Sequence, residues 1–411
     1  MKRTKGRRPM KRTRMLTLLA AIAAGACSSS GPSSLEPPSG GDTTGGDNNN
    51  PGGGGTAGGD PDAPPIPDKT VLDDRVTSYT EALRTASLKL VRNLPTLQQI
   101  KNVENATDQR AAYEAEIDAM LADQRFTSRM IKWWQDTMRQ GGGAQDGKPS
   151  RNTAPVFATR VMVEERPYTD LFTATTNTCP TYDGATNTFT DGDCNNGVGA
   201  HAGVLTNPGV MMQFYGNMAF RRVRWVQEIF VCTKFPAEYA AEPTTVKGAD
   251  YTGPWPFESV ATSPIDFQDT SSVVCANCHV TLNRVAPLFA NFDMNGQWAN
   301  NSQVETPTVP DPQQTVLSHW LRDGESTAWR FGEPVADLPA LGQAMAKDPD
   351  VHDCAVARMY NFAMSKEDIV SDLATVPPEV LKPYVDDFLA NGMNLKKTLR
   401  TILLSEDFTK F

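Results

Sequence analysis

The composition of the chain changes abruptly near residue 70, and that boundary fixes which part can build a core. Residues 28–68 are Ser, Gly, Asp, Asn, Thr and Pro with almost no large apolar side chain. Such a segment cannot bury enough surface to offset the entropy of ordering it, so it is expected to be a disordered tether. A flexible coil of this length reaches on the order of 35 Å, at about 5–6 Å times the square root of the residue count. Ahead of it stand eight basic side chains (Lys2, Arg3, Lys5, Arg7, Arg8, Lys11, Arg12 and Arg14) and then an apolar run through Met15, Leu16, Leu18, Leu19 and Ile22. Basic, then apolar, then small is the order of a secretory signal peptide. The run is shorter than the roughly 20 residues a membrane span needs. Arg7-Arg8 is a poor twin-arginine match because Pro9-Met10-Lys11 follows it, so general export is expected.

The run closes on Ala24-Gly25-Ala26-Cys27 and three serines, which resembles a bacterial lipobox. On that reading residues 1–26 are removed and Cys27 is the lipidated first residue; ordinary cleavage after Ala26 is the alternative. Acyl chains contribute about 0.8 kcal/mol per buried methylene, so more than one chain anchors stably. The expected location is the cell envelope, as an outer-membrane lipoprotein facing the periplasm or the exterior. Removing eight of the 39 basic side chains and none of the 48 acidic ones leaves a mature net charge of −17. That sign is the opposite of what nucleic-acid binding wants. The expected partners are therefore the membrane, through the anchor, and a redox protein.

From Val71 onward the periodicity is helical. Val76, Tyr79, Leu83, Leu90 and Val91 make one face, Tyr113, Ile117, Met120 and Leu121 a second, and Met130, Ile131, Trp134 and Met138 a third. Gly141-Gly142-Gly143 ends that region. Further helices are expected from Pro155 to about Phe172 with an interruption at Pro167, over 214–233, and near 336–347, 351–364, 378–390 and 394–404, the last capped by Asn394. The polar stretch 175–205 reads as a hairpin or compact loop. The expected fold is mainly α, multi-helical, with short β-hairpin elements. Its segments are a signal peptide (1–26), a tether (27–69), an N-terminal helical domain (70–174), a disulfide-closed loop (175–213), a cofactor-binding domain (214–334) and a C-terminal helical domain (335–411).

Cys275-Ala276-Asn277-Cys278-His279 carries the chemistry. Cys-x-x-Cys-His is the c-type haem attachment pattern: Cys275 and Cys278 would add across the two vinyl groups of the porphyrin, and His279 would be the proximal iron ligand. A zinc site would need two more Cys or His ligands, whereas His201, His319 and His352 are scattered singly. A thioredoxin-type motif would need a βαβ setting that the pattern lacks. Covalent attachment also requires export, which the N-terminus supplies independently. Met345 is the distal-ligand candidate, although Leu338, Leu341 and Met345 form an apolar stripe that core packing explains better. Met294, Met364, His319 and His352 are alternatives, as is an open sixth position. The second nitrogen of His279 is expected to be held by a backbone carbonyl near Pro287.

Lipidation and haem attachment use three of the seven cysteines. Of the remaining four, Cys179 and Cys194 are a natural local pair that would close the polar loop. That leaves Cys232 with Cys354, one of three arithmetically allowed pairings in an oxidising compartment.

The segment from Cys275 to Asn291-Phe292-Asp293, Gly296 and Trp298 resembles the multi-domain cytochrome-c-like proteins of unknown function found in planctomycetes and myxobacteria. Gly203–Gly209, Arg221–Cys232, Leu94-Pro95-Thr96, Asp353–Tyr360 and Leu395–Ser405 resemble the same family. It departs from the family at Arg284-Val285-Ala286-Pro287, where a Pro-Ile/Leu-Gly run is usual. The resemblance implies an architecture without an established reaction. Monohaem electron transfer is the expected function. A haem-dependent oxidoreductase (peroxidase, oxidase or dehydrogenase subunit) and a surface scaffold with structural haem remain the alternatives.

Overall fold

Helix starts are written into short polar side chains. In a computed structural model describing residues 74–235, 244–246, 249–251, 273–299, 303–304, 313–314, 316–366, 369–370 and 375–411, Ser78 caps α1 (Tyr79–Leu90) by accepting from Glu81 N–H. Thr96 and Gln99 form a reciprocal capping box on α2 (Leu97–Glu104). Asp108 and Asp123 cap α3 (Gln109–Leu121) and α4 (Gln124–Met138). The leader, Cys27 and the tether lie outside the described residues.

Three expected helix boundaries move, two of them before residue 175. Val76 belongs to no helix: it is 68% exposed, and its N–H and C=O pair with Phe411. The chain there runs extended against its own C-terminus, ending at the Ser78 cap. The helix expected to reach Phe172 stops at Val163 (α5, Thr153–Val163). Glu165 turns left-handed (φ 58°), and Arg166 N–H returns to Val161 O. A separate turn, α6 (Asp170–Thr173), follows, so Pro167 sits in the link and kinks nothing.

The polar stretch forms a hairpin of β1 (Thr181–Asp183) and β2 (Thr188–Thr190), with Tyr182 opposite Phe189. The Cys179–Cys194 disulfide closes its base. Next come α7 (Pro208–Gln213), with Asn207 at its cap and Pro208 at the first position, and α8 (Phe220–Phe230). Helix α8 begins six residues later than the periodicity suggested, because Met218 (φ 50°) and Ala219 (φ 62°) are both left-handed. Beyond the pair β3 (Thr244–Val246) and β4 (Ala249–Tyr251) lies α9 (Val273–Val285). The pairs β5 (Gln303–Val304) with β6 (Gln313–Gln314), and β7 (Ala328–Trp329) with β8 (Glu333–Pro334), precede the C-terminal helices. These are α10 (Leu338–Met345), α11 (Pro349–Ala363), α12 (Pro378–Ala390), α13 (Leu395–Leu404, capped by Asn394) and α14 (Glu406–Thr409). The described residues are mainly helical, with short antiparallel pairs only.

One apolar cluster runs from Ala82 to Phe408. Helix α4 packs on α5, α1 on α3, and α11 on both α13 and α8. Asp68–Phe411 is a single compact unit, so the segments that the sequence divides at 174, 213 and 334 share one core. Polar ties cross it. Cys232, just after α8, is bridged to Cys354 of α11. Arg358 of α11 donates to the carbonyls of Glu228 and Ile229. The buried Glu228 carboxylate takes Arg224 and Arg139, both at 2.6 Å. Among the described residues, no helix is long and apolar enough to cross a membrane.

Candidate functional site

The Cys-x-x-Cys-His segment lies within α9, where positions 275, 278 and 279 share one face at i, i+3, i+4 spacing. Cys278 is half-buried and packs against the core. The His279 ring meets the edge of Phe220 at the start of α8, with centroids 5.3 Å apart at 81°. Its Nδ1 lies 3.0 Å from Oδ1 of Asn283, one helical turn on. An amide oxygen only accepts, so Nδ1 carries the proton and Nε2 the lone pair. The buried partner is thus a side-chain amide on the same helix, where the sequence had suggested a carbonyl near Pro287. Burial holds the His279 pKa below its ordinary value, against the smaller opposing effect of Asn283. The ring is therefore neutral at neutral pH, the form that binds a metal.

Arg222 is the residue that sequence reasoning missed. It sits in a run with Arg221 and Arg224, and nothing in the run says which arginine turns inward. In the structure Arg222 is buried. Its guanidinium donates to five carbonyl contacts: Met211 twice, Phe289, Phe292 and Asp293. Desolvation lowers its pKa to about 9, still well above neutrality, so the cation is neutralised by carbonyl dipoles. These bonds fasten α8 to the turn that follows α9.

That turn is the Asn291-Phe292-Asp293…Gly296…Trp298 element. Asp293 Oδ1 accepts from the N–H groups of Asn295 and Gln297. Phe292 and Trp298 pack edge to face at 5.0 Å. Gly296 is left-handed (φ 70°), and a Cβ there would stand 2.1 Å from Pro208 O, so only glycine fits. From the other side Asn196, two residues beyond the bridged Cys194, donates to Gly296 O and Thr206 O and accepts Trp298 N–H at its own carbonyl. This segment thus latches the turn below the motif helix.

Met345 is fully buried on α10 among apolar neighbours. Of the alternatives, His352 is tied through Nε2 to Ala346 O; Met294 and His319 are exposed. Val280 on α9 is exposed, as are Met294, Val316, Leu317 and Phe331, the last 91% exposed. Phe331 adjoins Gly332, which faces the guanidinium of Arg284 on α9.

A haem iron fits what these residues offer. It asks the chain for one neutral imidazole in a fixed tautomer, because the porphyrin supplies four ligands. Among the described residues no three His, Cys, Asp or Glu side chains gather as a metal cage would require.

Residues 69–191 match PSCyt2, a family of proteins of unknown function (DUF1549) typical of planctomycete cytochrome-c-like proteins. The match takes in α1 to α5 and the β1–β2 hairpin and ends before the motif helix. No curated protein and no solved structure matches the chain.

Proposed function

We propose that this chain is an exported, lipid-anchored monohaem c-type cytochrome-like protein that transfers electrons in the cell envelope. The observation that carries the reading is the His279–Asn283 pair directly after Cys278. It fixes one tautomer of a half-buried imidazole that burial keeps neutral, at the one position where the motif calls for an iron ligand. When bound, a c-type haem supplies a one-electron centre.

The chain's own residues have definable tasks. Cys275 and Cys278 fix the ring covalently, and His279 ligates through Nε2. Asn283 accepts the Nδ1 proton and so orients the imidazole and adjusts its basicity. Phe220 sets the ring's tilt. Arg222 ties the following turn to α8, and Asn196 ties it to the segment at Thr206. Lipidation of Cys27 and the tether would place this body near the membrane and within reach of a redox partner.

The full chain, produced in a host with haem-ligation machinery, gives the test by optical spectroscopy. Low-spin reduced bands that carbon monoxide leaves unchanged support electron transfer. A high-spin spectrum shifted by carbon monoxide would replace that function with catalysis at the iron. A protein without visible bands removes the reading altogether.

A further inference from the structure

The chain as a whole is acidic, yet one cavity of about 330 Å³ between the end of α1, α4 and the end of α11 is lined, among the described residues, by five cationic side chains and one carboxylate, that of Asp136. Arg139 answers the buried Glu228, and Arg358 is held by carbonyls. Lys89 and Arg129 are different. Among the described residues neither has a carboxylate within ion-pairing distance, and Asp136 is taken by Lys132. Both cations are half-buried, and both stand over the Phe362 ring, Lys89 Nζ at 5.9 Å and Arg129 Cζ at 5.4 Å from its centroid. Trp133 meets the same ring at 6.0 Å, edge on. Arg129 Nε donates to the Lys89 carbonyl, which fixes the guanidinium at the cavity wall.

Gathering like charge in a half-buried place is unfavourable. Burial lowers the pKa of both groups; Arg129 lowers that of Lys89 further, and Arg92 lowers that of Arg129, against a smaller opposing effect of Asp136. The aromatic floor recovers part of that cost through cation–π attraction. A bound anion would relieve the remainder, and a concave site walled by cations raises the local concentration of one.

We propose that this cavity binds a small organic oxyanion, a carboxylate or phosphate group carried on an aromatic or apolar body. Lys89 and Arg129 hold the oxyanion, while Trp133 and Phe362 hold the body. The site is independent of α9 and of any haem.

Titration calorimetry on the full chain with benzoate, phenyl phosphate and inorganic phosphate tests it. One equivalent of benzoate or phenyl phosphate binds, more weakly as salt rises, and whichever binds tighter identifies the oxyanion. Arg129→Gln and Lys89→Met each weaken binding about tenfold, the loss of one charge-assisted contact. Without probe, Lys89→Met raises the melting temperature, because a repulsion is removed; a lysine serving only to stabilise Phe362 would lower it. The proposal is overturned if neither aromatic probe binds at millimolar concentration, or if both substitutions leave binding unchanged. Binding of inorganic phosphate as tightly as phenyl phosphate overturns the aromatic half.

Discussion

Asn283 and Arg222 do different work with similar means, each satisfying polar groups that burial has cut off from water. Replacing Asn283 by Asp puts a negative charge against Nδ1, pushes electron density onto the ring and favours ferric iron; Asn283→Leu removes the acceptor and does the reverse. Potentiometry of the haem-loaded protein should find the Asp variant shifted negative and the Leu variant positive, by on the order of 60 mV, a tenfold change for one electron. Equal potentials would deny Asn283 this role. Arg222→Met strands the carbonyls of Met211, Phe289, Phe292 and Asp293 in the interior. Urea unfolding should report a loss of about 3–5 kcal/mol; a loss under 1 kcal/mol would show the carbonyls finding other partners. The Asn283 pairing was within reach of the sequence, since a polar residue one turn beyond a histidine on a helix faces it. The Arg222 role was not. Its selection over Arg221 and Arg224 depends on where α8 starts, and left-handed Met218 and Ala219 decide that.

At the level of elements, strongly periodic helices were legible because caps and apolar stripes agree: Asn394 caps α13, and Tyr113, Ile117, Met120 and Leu121 are all buried on α3. Misplaced boundaries at Val76, Val163 and Phe220 share one cause. Each is set by backbone pairing or by left-handed residues rather than by hydrophobic period. The turn after α9 is the element on which the site depends, and Gly296 is its least replaceable residue. Gly296→Ala drives a Cβ into Pro208 O in a backbone conformation that alanine resists. Thermal unfolding should show a drop equivalent to about 3 kcal/mol or more. A fully stable Gly296→Ala protein would mean that the turn is not packed as described.

Across the whole molecule, polar ties complete what the apolar core begins. The Cys232–Cys354 bridge spans 122 residues and Cys179–Cys194 only 15. Loop-closure entropy then makes the longer bridge worth more, about 4–5 kcal/mol against about 3. Denaturant titration of Cys354→Ala and Cys194→Ala should rank the two losses in that order; the reverse order would point to structure retained in the unfolded chain. The expected Cys232–Cys354 bridge already tied α11 to the end of α8, whereas the packing of α11 on α1 and of α13 on α3 and α5 had no signal in the sequence, because nothing local encodes it.

The central claim is covalent, and peptide mass spectrometry reads it directly. After expression with haem-ligation machinery and proteolysis under denaturing conditions, the fragment holding Cys275, Cys278 and His279 should carry the mass of one haem, with both cysteines resistant to alkylation. The same fragment recovered at its bare mass, both thiols alkylated, would contradict the account.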